Sequence, residues 1–552
     1  MWRWLRRRSS VFRVCTQLAL QSWLLSASVL CAQAAPAPES SEQTPPAAPD
    51  ATQPAGAGDA ADAQGFGDAP VNASADATGF GDAPAGASAD AAGFGDAASF
   101  GTSGGVSESS EPSPWSLGAT LRIQSALRVE QLQVRGLALG KLRDVVEAHV
   151  GFKYQLGAEL YLRMLASGRM EADFAYLMNY DEYYRATNDV YAWQLLPRET
   201  YIALDWSALQ ISVGEQVVNF GQADMLTLLD VINPRDAREP LLSDISEVHM
   251  PVLMTRVGLN IDRVRSELVI VHEPYFGLLP PPLGEFSPLR KLVLANPTFA
   301  NALGERNLVN RHVPKHSLAD LGATQFHGRL SWGGSGLDLK LLASSLLDSL
   351  GVPNLPSAEG FASDTIALTI SHPRYSMLGH SGAWTLGPVM IYWEAVFDIN
   401  RPLVASRTDS NLLLWSTLRR SAARGLLGLT YAPSTTTSAA LEVAKSYVIY
   451  SPERSPELHL ELLYPIELPQ FAVRFNQALF RERVHLGLLF VLIGAPRVNA
   501  WAVRADLSYA LQDRLELALG YVTYQPSRDF GPFYGFERND RVFLNVRWDV
   551  GD

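Results

Sequence analysis

The sequence predicts an all-β protein: a transmembrane antiparallel β-barrel of about 16–20 strands, preceded by a signal peptide and a disordered N-terminal tail. Three observations predict this fold. The chain starts with an arginine-rich and then apolar segment, apolar and polar residues alternate from Trp115 onward, and no run of about 18 apolar residues follows the start. Because 47% of the residues are hydrophobic, apolar surface is plentiful but spread out, which excludes an ordinary transmembrane helix.

Residues 1–34 are predicted to be a secretory signal peptide. The segment contains five arginines and no acidic residue, continues through an apolar stretch from Leu18 to Leu30, and ends in Ala32-Gln33-Ala34, a small-residue cleavage pattern. An uncleaved anchor is the alternative, and it is disfavoured because Gln21 and Ser22 interrupt the apolar stretch. We therefore expect an exported protein.

Removal of this segment changes both the thiol content and the charge. Cys15 and Cys31 both lie in it, so the mature chain would have no thiol and no disulfide. Loss of the five arginines takes the formal net charge from -12 to -17. A strongly acidic chain disfavours nucleic-acid binding, which needs cationic groups against the phosphates.

Residues 35–114 are predicted to be a disordered tail rich in Ala, Gly, Pro and Asp, because they carry too few large apolar groups to offset the entropy of ordering. Within it, Gly-Phe-Gly-Asp-Ala recurs at Gly65, Gly79 and Gly93, a spacing of 14 residues. The repeats have two interpretations: short motifs that present a phenylalanine to a periplasmic partner, or repeat expansion in a flexible spacer. The composition favours the spacer.

Residues 115–552 form the predicted outer-membrane β-barrel. Near the C-terminus, Trp501, Val503 and Leu507 alternate with Arg504 and Asp506, which is typical of a strand with one face toward lipid and one toward water. A soluble β-sandwich also alternates, but it has no need for aromatic residues at strand ends. Trp501 and Tyr509 are eight positions apart. That distance is roughly 20 Å along a tilted strand, close to the apolar band of about 25 Å between aromatic girdles.

Short turns alternate with long loops along the barrel region, as expected when both chain ends lie in the periplasm. The predicted turns are 207–208, 262–263, 333–336 and 512–514, and the long loops are 221–251, 273–321 and 525–540. Counting strands from both ends gives an even total of about 20 only if a weak strand occupies residues 410–418. Totals of about 16 or 18 follow if faint early strands fail.

Two motifs lie close together in residues 214–236. Gly214-Glu215-Gln216-Val217-Val218-Asn219-Phe220-Gly221 runs toward Asn233-Pro234-Arg235-Asp236, and Asp320 to Gln325 follows in residues 314–332. These segments resemble an uncharacterised family of Gram-negative outer-membrane proteins, classed under a domain of unknown function and described as porin-like barrels. The resemblance covers roughly residues 198–332 and implies a porin-like fold in the outer membrane. The repeat-bearing tail is not part of it, and the C-terminal Val-Gly-Asp departs from the terminal aromatic common in barrel-assembly signals.

The Asn233-Pro234-Arg235-Asp236 segment is predicted to be a rigid constriction loop. Pro234 fixes its own φ and restricts Asn233, while Asn233 and Asp236 can hydrogen-bond nearby backbone. A rigid loop of about 30 residues can fold into the lumen and place Arg235, Asp236 and the following Arg238-Glu239 at a charged constriction. A surface cap that seals the rim is an equally weighted alternative.

The leading functional hypothesis is a porin-like channel for passive or selective uptake of small hydrophilic or amphipathic solutes. Its charges are of both signs, so no ion preference is predicted, and apolar loop segments leave a hydrophobic substrate open. For any one of these inward charges, pairing across strands to fill the wall is the commoner role. The predicted pore-lining residues are Arg256, His327, Arg329, Glu394, Arg504, Asp506, Arg547 and Asp549.

The sequence leaves two other classes of function open. One is an outer-membrane anchor or adhesin whose tail recruits a periplasmic partner. The other, less favoured, is a barrel hydrolase, but the sequence has no Gly-x-Ser-x-Gly elbow, and His372 and His380 are expected in a turn that meets solvent. We therefore expect no enzyme activity, no metal and no cofactor. The expected partners are outer-membrane lipid and the barrel-assembly machinery.

Overall fold

The structure is a computed structural model. It describes thirteen stretches of the chain, and the predicted signal peptide and repeat-bearing tail lie almost wholly outside them. The described residues are 113–129, 139–175, 191–242, 247–280, 284–287, 307–314, 321–354, 364–407, 414–449, 461–462, 467–494, 500–526 and 533–551.

The described residues form strands almost throughout, as the period-two alternation predicts, and one 3-10 turn at Leu321–Ala323. In chain order the strands are β1 (Trp115–Arg128), β2 (Leu139–Gly157), β3 (Leu160–Asp173), β4 (Trp193–Trp206), β5 (Leu209–Gln216), β6 (Val252–Ile261), β7 (Val264–Val271), β8 (Asn307–Val313), β9 (Gln325–Gly334), β10 (Leu337–Leu347), β11 (Val352–Asn354), β12 (Thr365–Ser371), β13 (Arg374–Leu386), β14 (Val389–Arg407), β15 (Leu414–Ser434), β16 (Thr437–Ile449), β17 (Glu461–Leu462), β18 (Gln470–Leu479), β19 (Val484–Ile493), β20 (Ala500–Gln512), β21 (Leu515–Gln525) and β22 (Arg541–Gly551).

Eighteen of these strands close into a ring. Each pairs antiparallel with its neighbour in the chain order, and β1 pairs with β22 in register from Gly118 opposite Gly551 to Arg128 opposite Arg541. The two-residue β17 adds only to the far end of β14. The remaining three strands form a separate small sheet, in which β8 and β12 run parallel and β11 pairs with β12. The ring members are β1 to β7, β9, β10, β13 to β16 and β18 to β22.

The two faces of the ring differ as the alternation predicts. Outward side chains are mostly large and apolar and remain exposed, for example Ile202, Leu259 and Leu519. Inward side chains are mostly polar or small, and many of them, such as Arg256 and Glu394, are buried inside the ring. A closed ring leaves no strand edge unpaired, and it separates an apolar outer surface from a polar interior.

The predicted all-β antiparallel barrel is confirmed, and its 18 strands lie within the predicted range. The turns at 207–208, 262–263, 333–336 and 512–514 each join a hairpin. A strand does lie at residues 414–418, but it is not a strand of its own as the count expected. Residues 414–418 are the first part of the 21-residue β15, which continues to Ser434, while residues 410–413 lie outside the described stretches. The alternation there belongs to one long strand because β15 extends beyond its hairpin with β16.

Both ends of the ring can be told apart by their connections. The short hairpin turns lie at the same end as Trp115 and Gly551, and the long connections lie at the other. Among the described residues, no helix has the length and apolar character needed to cross a bilayer.

Candidate functional site

The described residues between β5 and β6, 217–242 and 247–251, here called the lumen loop, fold into the interior of the ring. Its apolar side chains Val218, Phe220 and Leu229 are buried against inward residues of the wall, including Met254 and Leu342. The wall makes room for the loop at Gly379, where a Cβ would collide with the Leu229 side chain. The lumen is therefore partly filled by the chain's own apolar core, which holds the loop inside.

Two glutamates on the wall hold one end of the lumen loop by its backbone, and together they are called the carboxylate anchor. Glu394 on β14 accepts hydrogen bonds from the amides of Gln222 and Ala223 through Oε1, and from Leu228 and Leu229 through Oε2, at 2.5–3.1 Å. Loop amides have no strand partner, so a buried acceptor must satisfy them. A carboxylate does this strongly because it is charged and has several lone pairs.

Glu442 on β16 completes the carboxylate anchor. It accepts hydrogen bonds from the amides of Asp224, Met225 and Leu226 at 2.6–3.3 Å. The Tyr392 hydroxyl donates to Glu442 Oε1 at 2.8 Å, which orients the carboxylate toward the loop. Both glutamates are buried. Seven consecutive or near-consecutive amides thus converge on two wall carboxylates, and no loop side chain takes part in these bonds.

The other end of the lumen loop is held by ion pairs, here called the ion-pair anchor. Glu239 accepts hydrogen bonds from Lys141 Nζ at 2.7 Å and Arg143 Nη2 at 3.0 Å, both on β2. Arg238 donates to Glu171 Oε2 on β3 at 3.0 Å and to its neighbour Asp236 at 2.6 Å. Nearly all of these groups are buried. Isolated charges could not be held there, but the pairs satisfy one another.

The pKa values of Glu239 and Arg238 in the ion-pair anchor shift in the directions that ion pairing predicts. Burial alone would raise the pKa of Glu239, but the cations Lys141 and Arg143 hold it well below its ordinary value, at about 2. Burial would lower the pKa of Arg238, whereas Asp236 and Glu171 raise it above its ordinary value. Both groups are therefore charged at neutral pH.

The two anchors lie on opposite sides of the ring. In a ring of 18 strands, β14 is nine strands from β2 in either direction. A loop that bonds to Glu394 on one and to Lys141 on the other must cross the lumen. The described residues of the loop therefore lie inside the ring, and a constriction formed by the Asn233-Pro234-Arg235-Asp236 segment stays a prediction.

The Asn233-Pro234-Arg235-Asp236 segment lies between the two anchors along the chain, and Asn233 contacts the end of β5. Asn233 Oδ1 accepts from the Val218 amide at 2.7 Å, and its Nδ2 donates to the carbonyls of Gln216 and Met250 at 2.9 Å each. The Asn233 side chain therefore joins the first residues of the lumen loop, at Val218, to its last residues, at Met250. Asp236 Oδ1 in turn accepts from the Arg238 amide at 3.1 Å.

Arg235 is the member of this segment that reaches water. Its guanidinium is partly exposed and pairs with Asp230 Oδ2 at 2.5 Å, which also contacts His249 Nε2 at 2.6 Å. Burial would raise the pKa of Asp230, but His249 and Arg235 lower it below its ordinary value. Arg235 therefore presents charge to the lumen, whereas Arg238 and Glu239 are buried against the wall and do not.

The predicted pore-lining residues all point inward but fall into two groups. Four of them lie on β6, β9 and β14 and are buried. Arg256 and Arg329 both pair with Glu267, Arg329 also lies over the Phe220 ring, and His327 contacts Ser344 Oγ at 3.0 Å. Glu394 belongs to the carboxylate anchor. Their role as the lining of an open passage stays a prediction. Arg329 and Glu394 contact the lumen loop, whereas Arg256 and His327 contact other wall residues.

The other four predicted residues, Arg504, Asp506, Arg547 and Asp549, lie on β20 and β22. Arg504 on β20 pairs with Asp506 at 3.2 Å and donates to the Leu241 carbonyl of the lumen loop. Arg547 and Asp549 on β22 pair at 3.0 Å and remain partly exposed to the lumen. Sequence reasoning missed Glu442, Lys141, Arg143 and Glu171. The alternation in β16, where Glu442 stands between the outward Leu441 and Val443, is the signal that would have found the first.

The prediction that His372 meets solvent is wrong. His372 is buried, stacks on Phe276 with ring centroids 3.4 Å apart, and contacts the Asp348 carbonyl through Nδ1 and His312 through Nε2. Burial and the neighbouring His312 lower the pKa of His372 to about 4. It lines an apolar cavity of about 400 Å³ beside Pro314 and Leu347. His380 stands on β13 rather than in a turn and accepts a hydrogen bond from Trp393 Nε1 at 3.2 Å. Sequence could not show this, because the small sheet that buries His372 joins distant segments.

Within the part of the chain that the structure describes, no group of three or more His, Cys, Asp or Glu side chains is arranged to hold a metal ion. The chemistry of the interior is that of hydrogen bonds and ion pairs between an inserted loop and a polar wall.

Comparison with known proteins gives one family match. The model of the family described as "Protein of unknown function (DUF1302)" matches residues 179–548. No curated protein matches the sequence.

Solved structures with a similar arrangement of the chain are bacterial proteins of low sequence identity. Pseudomonas aeruginosa OpdL is 12% identical with a TM-score of 0.42, and 79% of this chain and 99% of that chain are covered. P. aeruginosa OccK8 (OprE) is 9% identical with a TM-score of 0.44, covering 79% and 98%. Acinetobacter baumannii OccAB4 is 9% identical with a TM-score of 0.44, covering 80% and 99%. Because these TM-scores are low, the fold of this chain is assigned from its own strand pairing.

Proposed function

Because the chain belongs to the DUF1302 family, whose function is unknown, we propose from the barrel itself that this protein is a porin-like channel of the outer membrane. The observation that carries the proposal is the closed ring of 18 strands with apolar residues outside and polar residues inside. Only helices and closed barrels satisfy every backbone group within lipid. A barrel of this size encloses water unless it is plugged. In this proposal the lumen loop narrows the water-filled lumen without closing it.

The orientation follows from the connections. In bacterial outer-membrane barrels the short turns face the periplasm. The start of β1, the end of β22 and the preceding 35–114 tail would therefore lie there. Residues 1–34 would direct export and be removed. The solute would pass between the lumen loop and the wall, and the charged groups exposed there, such as Arg235 and Asp549, would select it.

The proposal is tested by reconstituting the purified mature protein in planar lipid bilayers. Stable conductance steps that depend on the solute and scale with salt are the expected result. The control is the same protein unfolded before addition, which should give none. A folded, heat-modifiable barrel that stays electrically silent and passes no uncharged solute into liposomes would contradict the channel and favour the anchor. A protein that stays soluble without detergent would contradict the membrane barrel itself.

A further inference from the structure

One part of the inner wall carries four charges that stay partly exposed. The group, here called the charged quartet, consists of Arg122 on β1, Glu147 on β2, and Arg547 and Asp549 on β22. The register places Arg122 opposite Arg547 in one row. In the next row, Thr120 stands opposite both Asp549 and Glu147. Two residues along a strand span about 6.6 Å, so the Cα atoms of the arginine row lie one such step from those of the acidic row.

Exposure separates the charged quartet from the ion-pair anchor on the same wall. The side chains of Arg122, Arg547, Glu147 and Asp549 are 13%, 22%, 24% and 40% exposed. Arg143, which is two residues along β2 from Val145, the partner of Arg122, is only 2% exposed beneath Glu239. The wall is thus buried at the ion-pair anchor and partly exposed at the quartet, which lies nearer Trp115 and Gly551.

The quartet is close to electrically neutral and firmly placed. Arg547 pairs with Asp549 at 3.0 Å, and Thr120 Oγ1 donates to Asp549 Oδ1 at 2.6 Å. Arg122 pairs with Glu247 of the lumen loop, and Arg198 lies 3.5 Å from Glu147. A solute with a single charge would be attracted by one row and repelled by the other. A solute that carries both charges can contact both rows at once.

We propose that the charged quartet is a specificity strip for small zwitterions, solutes with an ammonium and a carboxylate a few ångströms apart, as in free amino acids. The carboxylate of the solute meets Arg122 and Arg547, and its ammonium meets Glu147 and Asp549. Each contact is between partly hydrated groups, so it is weak enough for the solute to leave again, as passage requires. The assignment rests on the channel function proposed above.

Liposome swelling with four solutes of one carbon skeleton tests it: alanine as zwitterion, lactate as anion, alaninamide as cation and lactamide as neutral solute. With the unaltered protein, we expect alanine to enter about threefold faster than lactate or alaninamide, since two weak ionic contacts are gained. The variant Arg547→Gln/Asp549→Asn keeps the net charge and replaces both charged groups with uncharged amides. It should lose the preference for alanine while lactamide entry is unchanged.

The matched control is Arg163→Gln/Asp205→Asn, which removes another partly exposed inward ion pair, on β3 and β4, with a separation of 2.5 Å. This variant should keep the preference for alanine. Equal entry of alanine and lactamide in the unaltered protein, or loss of the preference in both variants alike, would overturn the strip and leave the channel standing. Failure of all four solutes, including lactamide, would instead overturn the channel.

Discussion

The two ends of the lumen loop are held by different chemistry. At the carboxylate anchor, Glu394 and Glu442 bind backbone amides, so the loop contributes shape but no particular side chain. At the ion-pair anchor, Arg238 and Glu239 bind through their side chains to Glu171, Lys141 and Arg143. The difference indicates which side chains the loop needs in order to stay in place. On the β14–β16 side only the wall residues must be acidic, whereas on the β2–β3 side both the loop residues and their wall partners must be charged.

The largest effect is expected from Glu239→Ala, which breaks the ion-pair anchor from the loop side. The change leaves Lys141 and Arg143 buried without their shared carboxylate, and an uncompensated buried charge typically costs about 3–5 kcal/mol. Hydrogen exchange of amides in residues 236–242 should speed up accordingly in detergent-solubilised protein. The control is Glu159→Ala in the exposed turn between β2 and β3. Unchanged exchange in Glu239→Ala would show that the ion pairs do not hold the loop.

Acid should weaken the same anchor without any substitution. The pKa of Glu239 is about 2 in the folded protein and near its ordinary value of 4.5 when the loop is released. A group with a depressed pKa stabilises the folded state above the unfolded pKa, and that contribution is lost as the pH falls from about 4.5 toward 2, up to about 3 kcal/mol. Exchange of residues 236–242 measured across this range should therefore accelerate toward low pH after correction for intrinsic rates. The variant Glu239→Gln should lose most of this dependence, and an equally steep profile in that variant would assign the titration to another group.

A smaller effect is expected at the carboxylate anchor from Glu442→Gln. The amide keeps one acceptor oxygen but loses the charge, so the bonds from Asp224, Met225 and Leu226 weaken by about 1.5–3 kcal/mol in total. Exchange should rise in residues 224–226 and not in 236–242, and conductance should become noisier. Substituting Met225→Leu serves as the matched control, because only its amide takes part. If Met225→Leu disturbs residues 224–226 as much as Glu442→Gln does, side chains rather than amides hold this end.

The smallest effect is expected from Arg235→Gln. Its guanidinium is 42% exposed, and an exposed ion pair contributes roughly 0–1 kcal/mol, so the loop should stay in place. Since Arg235 presents its charge to the lumen, the change should appear in the ion selectivity of the channel, measured as the reversal potential in a salt gradient, and not in hydrogen exchange. A reversal potential identical to that of the unaltered protein would place Arg235 away from the passage.

How far the site could be read from the sequence depends on the range of the interactions involved. The rigidity of the Asn233-Pro234 segment was predictable, since it depends on local backbone restriction and on a side chain that bonds nearby amides. That Glu394 points inward was also predictable, since side chains of a strand alternate. That Glu394 receives amides from a loop more than 160 residues earlier in the chain was not, because nothing in either segment specifies the other.

The sequence by itself determined the alternation, the turns, the even number of strands and the inward or outward direction of most side chains. These properties depend on neighbours in the chain, on the period of two of an extended backbone and on the need to keep charge away from an apolar surface. Only the tertiary structure decided which inward charges are covered and which stay wet. Arg143 and Arg547 face the same lumen from nearby strands, yet closure of the ring and the path of one loop bury the first and expose the second.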